Sequence, residues 1–162
     1  MDPARLPRQG IYLTIRYKNT CDTVVINRYR REDQRVSRKA YVSERGALPV
    51  GSYSSAVEAG GFVYLAGQTP RDRDNVRHGD KPFAFQARMA LDNLEAAANA
   101  AGLSLKDAVR VGVFLRDTAH AKEFDAIYRE YVSEPWPART LAQSDLAGFD
   151  VEVDAVLWRG EG

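Results

Sequence analysis

Cysteine and histidine are scarce in this sequence. Among its 162 residues it contains one cysteine, Cys21, and two histidines, His78 and His120. One cysteine excludes a disulfide within the chain, and these three side chains make a poor ligand set for zinc or iron. A metal site built only from carboxylates stays open. The sequence therefore predicts neither a disulfide framework nor a zinc or iron centre.

Long hydrophobic runs are also missing. No apolar segment reaches the length that crosses a bilayer, and the opening residues Met1-Asp2-Pro3-Ala4-Arg5 lack the hydrophobic segment of a secretion signal. We therefore expect a cytoplasmic protein that does not associate with membranes.

The chain carries almost no net charge, but its two parts differ. The formal net charge is +1 at pH 7. Residues 1–37 hold eight Lys or Arg against four Asp or Glu, whereas residues 38–162 hold fifteen against eighteen. A mildly acidic main part argues against a nucleic-acid surface as its chief role. With 44% hydrophobic and 28% charged residues, the composition is that of one ordinary globular domain.

The sequence divides at about residue 37. Before that point, residues 11–17 alternate like a strand, residues 22–26 could form another, and residues 27–33 are highly polar. We interpret residues 1–37 as an N-terminal extension of unknown role, either a peripheral hairpin or a partly disordered arm. A basic arm that binds RNA or a partner subunit is the alternative. Residues 38–162 form the predicted main domain.

The main domain is predicted to be a sheet with helices on one face. Gly60-Gly61 is a hairpin signal between two strand-like runs, Gly102 ends a long helical pattern, and Thr118 is suited to cap a second helix. The predicted elements are strands at 40–43, 54–59 and 62–66, a helix after Pro82 up to Ala101, a strand at 108–116, a helix ending near Val132, and two final strands. This order predicts an α+β, two-layer domain.

Two charged residues lie in the final pair of strands. Arg139 follows a Pro-Ala step that favours an extended chain, and strict alternation over residues 151–157 places Glu152 on the polar face of a strand. Residues 147–150 can reverse the chain, so a hairpin would bring the two charges together. A guanidinium fixed beside a carboxylate is a compact site for small organic acids, although a structural ion pair at a subunit interface is the alternative.

An ordered set of short motifs runs through the main domain. The motifs are Gly51-Ser52-Tyr53-Ser54-Ser55-Ala56-Val57, Gly60-Gly61-Phe62-Val63-Tyr64, Ala66-Gly67-Gln68-Thr69-Pro70, Ala101-Gly102-Leu103, Val113-Phe114-Leu115-Arg116-Asp117, Pro137-Ala138-Arg139-Thr140 and Val151-Glu152-Val153-Asp154-Ala155. Together they resemble the YjgF/RidA family of reactive enamine/imine deaminases, also described as endoribonuclease L-PSP. The resemblance covers residues 38–158 and leaves residues 1–37 outside.

The resemblance implies a chorismate-mutase-like fold and a homotrimer whose sheets enclose a central β-barrel, with ligand sites in clefts between subunits. It also implies hydrolysis of small 2-enamine or 2-imino acids to 2-keto acids and ammonia, without a cofactor. Carried over by position, Arg139 would bind the substrate carboxylate, Glu152 would position or activate water, and Tyr53 would line the pocket from the neighbouring subunit. Backbone groups around Gly67 and Leu141 would complete the site.

This chemistry suits the residues. An iminium carbon is already electrophilic, so the protein needs only to orient the acid end, hold water and accept one proton. The planar donors of Arg139 match a carboxylate bidentately. A glutamate ionised beside an arginine would be a weak base, which favours orientation of water as the role of Glu152.

Four positions depart from the commonest family pattern and would change the walls of the site. They are Ser52 in place of Pro, Ala66 in place of Ser, Asp125 in place of Asn, and Leu141 in place of a smaller residue or Cys. Asp125 would disfavour anionic ligands if it lay near the site. The departures motivate a second hypothesis, a non-catalytic trimer that binds small acids or partner proteins. A third hypothesis, ribonuclease activity, has little support in the sequence, because the main domain has neither paired histidines at the motifs nor a basic stripe that could bind RNA.

Overall fold

The computed structural model describes residues 11–17, 20–26 and 37–160. The chain divides into two units, Met1–Arg35 and Val36–Gly162, and each is described by itself. In the first, strands β1 (Ile11–Tyr17) and β2 (Thr20–Ile26) pair antiparallel. The predicted strand at 22–26 therefore begins two residues earlier than expected. The polar stretch at 27–33 lies outside the described residues.

The second unit is a mixed sheet with two helices. Its strands are β3 (Lys39–Tyr41), β4 (Ala56–Ala59), β5 (Phe62–Gln68), β6 (Ala108–Leu115), β7 (Ala138–Gln143) and β8 (Val151–Trp158), and its helices are α1 (Phe83–Ala100) and α2 (Ala121–Tyr128). Short 3₁₀ turns precede β6 and α2. The predicted α+β class and element order are confirmed. Within the described residues, neither helix combines the length and apolarity needed to cross a bilayer.

The strands lie in the order β3-β4-β5-β8-β6-β7. Every neighbouring pair is antiparallel except β6 and β7, which are parallel because α2 carries the chain back across the sheet between them. The predicted hairpin of the last two strands is wrong, since β6 lies between β7 and β8. Pairing with a non-consecutive strand cannot be seen in a local hydrophobic pattern.

The core lies between one face of the sheet and the two helices. Each central strand contributes alternate residues to it, which include Val63, Leu65, Val111, Val113, Val151, Val153, Ala155 and Leu157. Against them, α1 packs a stripe that includes Ala87, Ala90, Leu91, Leu94 and Ala98, and α2 packs Phe124, Ile127 and Tyr128. Each fully buried Leu or Phe side chain contributes roughly 1.5–3 kcal/mol. The intervening strand residues point to the opposite sheet face.

Local turn chemistry fixes the hairpin and the end of α1. Gly60 and Gly61 have φ of 59° and 81°, the positive values that a two-residue type I′ hairpin requires. Gly102, with φ of 74°, ends α1 as predicted.

The start and end of the second helix differ from expectation. Asp117, not Thr118, caps the turn that leads into α2, accepting a hydrogen bond of 2.8 Å from the Ala119 amide. The predicted end near Val132 is also wrong, because after Tyr128 the chain tightens into i to i+3 hydrogen bonds.

Candidate active site

A pocket of about 550 Å³ opens where β5 ends and β8 begins. The end of β5 contributes Ala66 and Gly67, and the start of β8 contributes Glu152. The remaining lining residues come from the loops on either side, namely Tyr53, Thr69, Arg71, Arg77, Ser144, Asp145, Leu146, Ala147 and Phe149. Three residues predicted from sequence, Tyr53, Gly67 and Glu152, therefore meet in one pocket of one chain.

A β-bulge positions the Glu152 carboxylate. Leu65 pairs with Ala155 and Gln68 with Val153, so Ala66 and Gly67 together face the single residue Asp154. The Glu152 side chain lies against Gly67 so closely that a Cβ atom at position 67 would overlap Glu152 Oε1. Only glycine leaves room for this carboxylate, which gives Gly67 a steric role beyond the predicted backbone contact.

The electrostatic surroundings of Glu152 favour its protonated form. The side chain is half-buried, and burial raises its pKa above the ordinary value for glutamate. The charge of Asp154 acts in the same direction, whereas Arg71 opposes it. Within the described residues, no side chain or backbone group hydrogen-bonds to the Glu152 carboxylate. A carboxyl with a raised pKa in a pocket is a candidate general base, which differs from the weak base expected beside an arginine.

Tyr53 lies in the same chain's pocket as Glu152, whereas the resemblance placed it across a subunit boundary. Its hydroxyl oxygen accepts hydrogen bonds from the Val50 amide, at 3.3 Å, and from Arg71 Nη2, at 3.5 Å. The tyrosine is therefore tied to a cation on the pocket wall.

Arg139 lies on the other side of the sheet. In β7 it pairs with the buried Val111, so its side chain projects toward the helices, where Nη1 donates to Asp125 Oδ1 at 2.8 Å. The guanidinium also lies 5.0 Å from the centre of the Tyr128 ring. Glu152 pairs with Phe114 and projects from the opposite face. The expected meeting of Arg139 and Glu152 within one chain is therefore wrong, because the two strands are not neighbours and the side chains point apart.

Asp125 is held between two arginines. Besides Arg139 it accepts a hydrogen bond of 3.0 Å from Arg129 Nε. The Arg139 hydrogen bond, and then that of Arg129, lowers the pKa of the Asp125 carboxyl. Asp125 thus does lie beside the predicted carboxylate-binding arginine. Leu141 lies on the same side and packs against the core, away from the Glu152 pocket.

Sequence reasoning missed three residues that shape the pocket. Arg71 and Arg77 belong to the charged segment 71–80, which reads simply as a polar loop. Asn93 is a buried polar residue of α1 whose amide nitrogen donates to the carbonyl oxygens of Thr69 and Arg71. The only local signal for Arg71 is its place directly after Gly67-Gln68-Thr69-Pro70.

The described residues offer no ready metal site, because no three His, Cys, Asp or Glu side chains among them are grouped to hold an ion. The pocket instead combines a half-buried carboxyl, a tyrosine hydroxyl and two guanidiniums. The endoribonuclease L-PSP family model matches residues 44–157, which contain all of these groups. The chain belongs to this YjgF/RidA family. The resemblance found in the sequence is therefore confirmed.

Known YjgF/RidA proteins match the chain over most of their length. A RutC family protein of Pyrococcus horikoshii is 34% identical over 119 residues, covering 72% of this chain and 94% of that protein. A 2-iminobutanoate/2-iminopropanoate deaminase of Dermatophagoides farinae is 34% identical over 114 residues, covering 67% and 87%. The crystal structure of RidA from an Antarctic Psychrobacter superposes with a TM-score of 0.69 at 31% identity, covering 74% and 98%.

Proposed function

We propose that this YjgF/RidA protein is a cytoplasmic, cofactor-free deaminase that hydrolyses small 2-enamine or 2-imino acids to 2-keto acids and ammonia. The observation that carries the proposal is Glu152, a half-buried carboxyl with a raised pKa and no hydrogen-bond partner within the described residues. The similar mite protein is named for the same reaction, which adds support.

Glu152 suits both proton transfers of the reaction. Water attacks the iminium carbon and forms the new C–O bond while the Glu152 carboxylate accepts a proton from that water. The protonated Glu152 then returns the proton to the amine nitrogen of the carbinolamine. As the C–N bond breaks, ammonia leaves and accepts the hydroxyl proton as ammonium, which completes the keto group and leaves Glu152 ionised as at the start. A carboxyl whose pKa is raised toward the working pH accepts and returns a proton more readily than one with the ordinary pKa of glutamate.

Arg139 fits this proposal as a residue supplied by a neighbouring subunit. Within one chain it projects from the opposite face of the sheet, and its strand β7 is at the sheet edge. The face of the sheet away from the helices also exposes large apolar side chains, including Phe62, Tyr64 and Trp158. Such a face favours burial against further copies of the chain. A homotrimer with clefts between subunits would bring Arg139 of one subunit to Glu152 of the next.

The proposal is tested by turnover of an imino acid made in place. An amino-acid oxidase acting on alanine generates 2-iminopropanoate, and the decay of the imine is followed with and without the protein. We expect Glu152→Gln to lower kcat by roughly 10²–10⁴-fold, because an amide cannot accept the proton. Glu44→Gln, the same change at an exposed carboxylate, is the control. An unchanged rate in Glu152→Gln would reject the proposal.

The wild-type pH profile gives a second readout. Because burial raises the pKa of Glu152, protonation removes the base at a pH above the value of about 4.3 typical of free glutamate. We expect kcat to fall as pH drops through that raised pKa, and the fall should be absent from any residual rate of Glu152→Gln.

A non-catalytic trimer that binds small acids or partner proteins is the second candidate, and the Asp125–Arg139 ion pair favours its lack of catalysis. The Asp125 carboxylate already forms an ion pair with the Arg139 guanidinium, which would otherwise bind the substrate carboxylate. Calorimetric binding of 2-ketobutyrate without turnover of any imine tested would support this candidate over the deaminase.

A further inference from the structure

The Glu152 pocket holds two guanidiniums that lack an acidic partner. Arg71 and Arg77 both line it, and they face each other as an antiparallel bridge pair. Within the described residues, neither forms an ion pair with a carboxylate. Like charges on directly opposed residues are destabilising unless an anion lies between them. Asp145 and Glu152 also line the pocket, and Arg71 acts on Glu152 through its charge, but neither arginine is engaged at ion-pair distance by a carboxylate of the described residues.

The position of Arg71 is fixed by hydrogen bonds on both sides. Its Nε donates to Thr69 Oγ1 at 3.1 Å, and its Nη2 lies 3.5 Å from the Tyr53 hydroxyl oxygen. Its backbone is anchored as well, because the buried Asn93 amide donates to the Arg71 carbonyl at 2.7 Å. A guanidinium held in place loses little conformational freedom when it binds an anion.

Arg77 is held by contacts with the loop that precedes β8. Its guanidinium lies over the Phe149 ring, with 4.3 Å between the guanidinium carbon and the ring centroid, and it donates to the Ala147 carbonyl oxygen. Neither contact neutralises its charge. Both arginines therefore differ from Arg139, which is engaged by the Asp125 carboxylate at 2.8 Å.

We propose that Arg71, assisted by Arg77, binds a second acid group of the ligand, so that the pocket selects 2-imino acids whose side chain carries a carboxylate. The inference rests on the proposed function in taking this pocket as the substrate site. Glu152 lies in the same pocket as the two arginines, so one ligand can contact the carboxyl and the guanidiniums together. The 550 Å³ volume accommodates such a molecule with water.

Binding of unreactive product analogues tests the ligand class. We compare 2-ketoglutarate, which has the second carboxylate, with 2-ketobutyrate, which lacks it, by calorimetry on the full chain. A charge-assisted hydrogen bond to a fixed guanidinium predicts that wild type binds 2-ketoglutarate about tenfold more tightly or better. Arg71→Gln should weaken 2-ketoglutarate binding about tenfold more than 2-ketobutyrate binding and so remove that preference, and Arg71→Lys should restore part of it.

Arg73→Gln is the matched control, since Arg73 lies in the same loop but does not line the pocket. Equal affinities for the two keto acids in wild type, or equal losses for both in Arg71→Gln, would overturn the inference. Thermal unfolding of each variant shows whether a loss of binding comes from loss of the fold.

Turnover separates this inference from the proposed function. Imines generated from alanine and from aspartate are compared in wild type and in Arg71→Gln. Hydrolysis of both at equal efficiency in wild type overturns the selection for a second acid group and leaves the deaminase standing. A different result would overturn the deaminase and support binding of a second acid group by Arg71. In that result neither imine is hydrolysed, and wild type prefers 2-ketoglutarate whereas Arg71→Gln does not.

Discussion

At the scale of single residues, the contact between Glu152 and Gly67 decides what the pocket can do. A carboxylate inside a sheet normally requires a partner or solvent, because burial disfavours its charged form. Here the absence of a side chain at position 67 lets the carboxylate lie against the backbone of β5. The glycine thereby sets the position of the candidate base, and burial at that position raises the pKa of Glu152.

A methyl group at position 67 should displace this carboxylate. In Gly67→Ala the new Cβ would overlap Glu152 Oε1, so we expect kcat for 2-iminopropanoate to fall by about tenfold or more, as in other sites whose catalytic group is misplaced. Gly46→Ala is the control, because its Cβ would meet the Ala96 Cβ at 3.2 Å, outside the Glu152 pocket. Similar losses in the two variants would contradict the special role of position 67.

At the scale of elements, α1 carries most of the packing on the sheet. Its buried alanines let the helix approach the strands closely, and Leu91 and Leu94 fill the space between them. Asn93 on the same helix donates to the Thr69 and Arg71 carbonyls, so the element that forms the core also fixes the pocket wall.

Shortening a buried side chain of α1 should lower the free energy of unfolding. Leu94 is fully buried, and we expect Leu94→Ala to lower the free energy of unfolding by about 2–5 kcal/mol through lost burial and a residual cavity. Asn99→Ala, on the exposed side of α1, should change it by less than about 0.5 kcal/mol. Denaturant unfolding measures both, and equal effects would show that α1 does not pack as described.

The elements that could be predicted from the sequence are those with local signals. Gly60-Gly61 specifies its hairpin through positive φ values. The spacing of alanine and leucine along α1 ends at Gly102. The sequence therefore predicts both the hairpin and this helix. The neighbour of β7 could not be found in this way. Its parallel pairing with β6 depends on how α2 packs, and nothing within residues 138–143 encodes that partner.

At the scale of the whole molecule, the candidate site is divided. Alternation correctly placed Glu152 on the polar face of its strand, and Tyr53 and Gly67, which belong to the sequence motifs, line the same pocket. The sequence does not predict that Arg139 pairs with Asp125, because this ion pair depends on how α2 packs against β7. One chain therefore presents a carboxyl on one face of the sheet and the predicted carboxylate-binding guanidinium on the other.

A mixing experiment tests whether two subunits complete one site. Arg139→Ala and Glu152→Gln should each be nearly inactive alone. If the site joins Arg139 of one subunit to Glu152 of the next, random mixed trimers formed by unfolding and refolding the variants together should recover about a quarter of wild-type activity. Size-exclusion chromatography checks assembly. No recovery in properly assembled mixtures would show that the two residues do not share a site across subunits.

The bulge in β5 has a consequence for how this chain can vary. Before it, Val63 and Leu65 point inward, and after it the inward position passes to Gln68, which is buried and bonds its own amide to the Ala66 carbonyl. The strand thus changes phase by one residue at positions 66 and 67. Loss of a single residue there would remove the bulge and restore simple alternation, with Gln68 still inward, but it would also remove the local geometry that sets Gly67 against the Glu152 carboxylate, so length is constrained at this point as well as residue type.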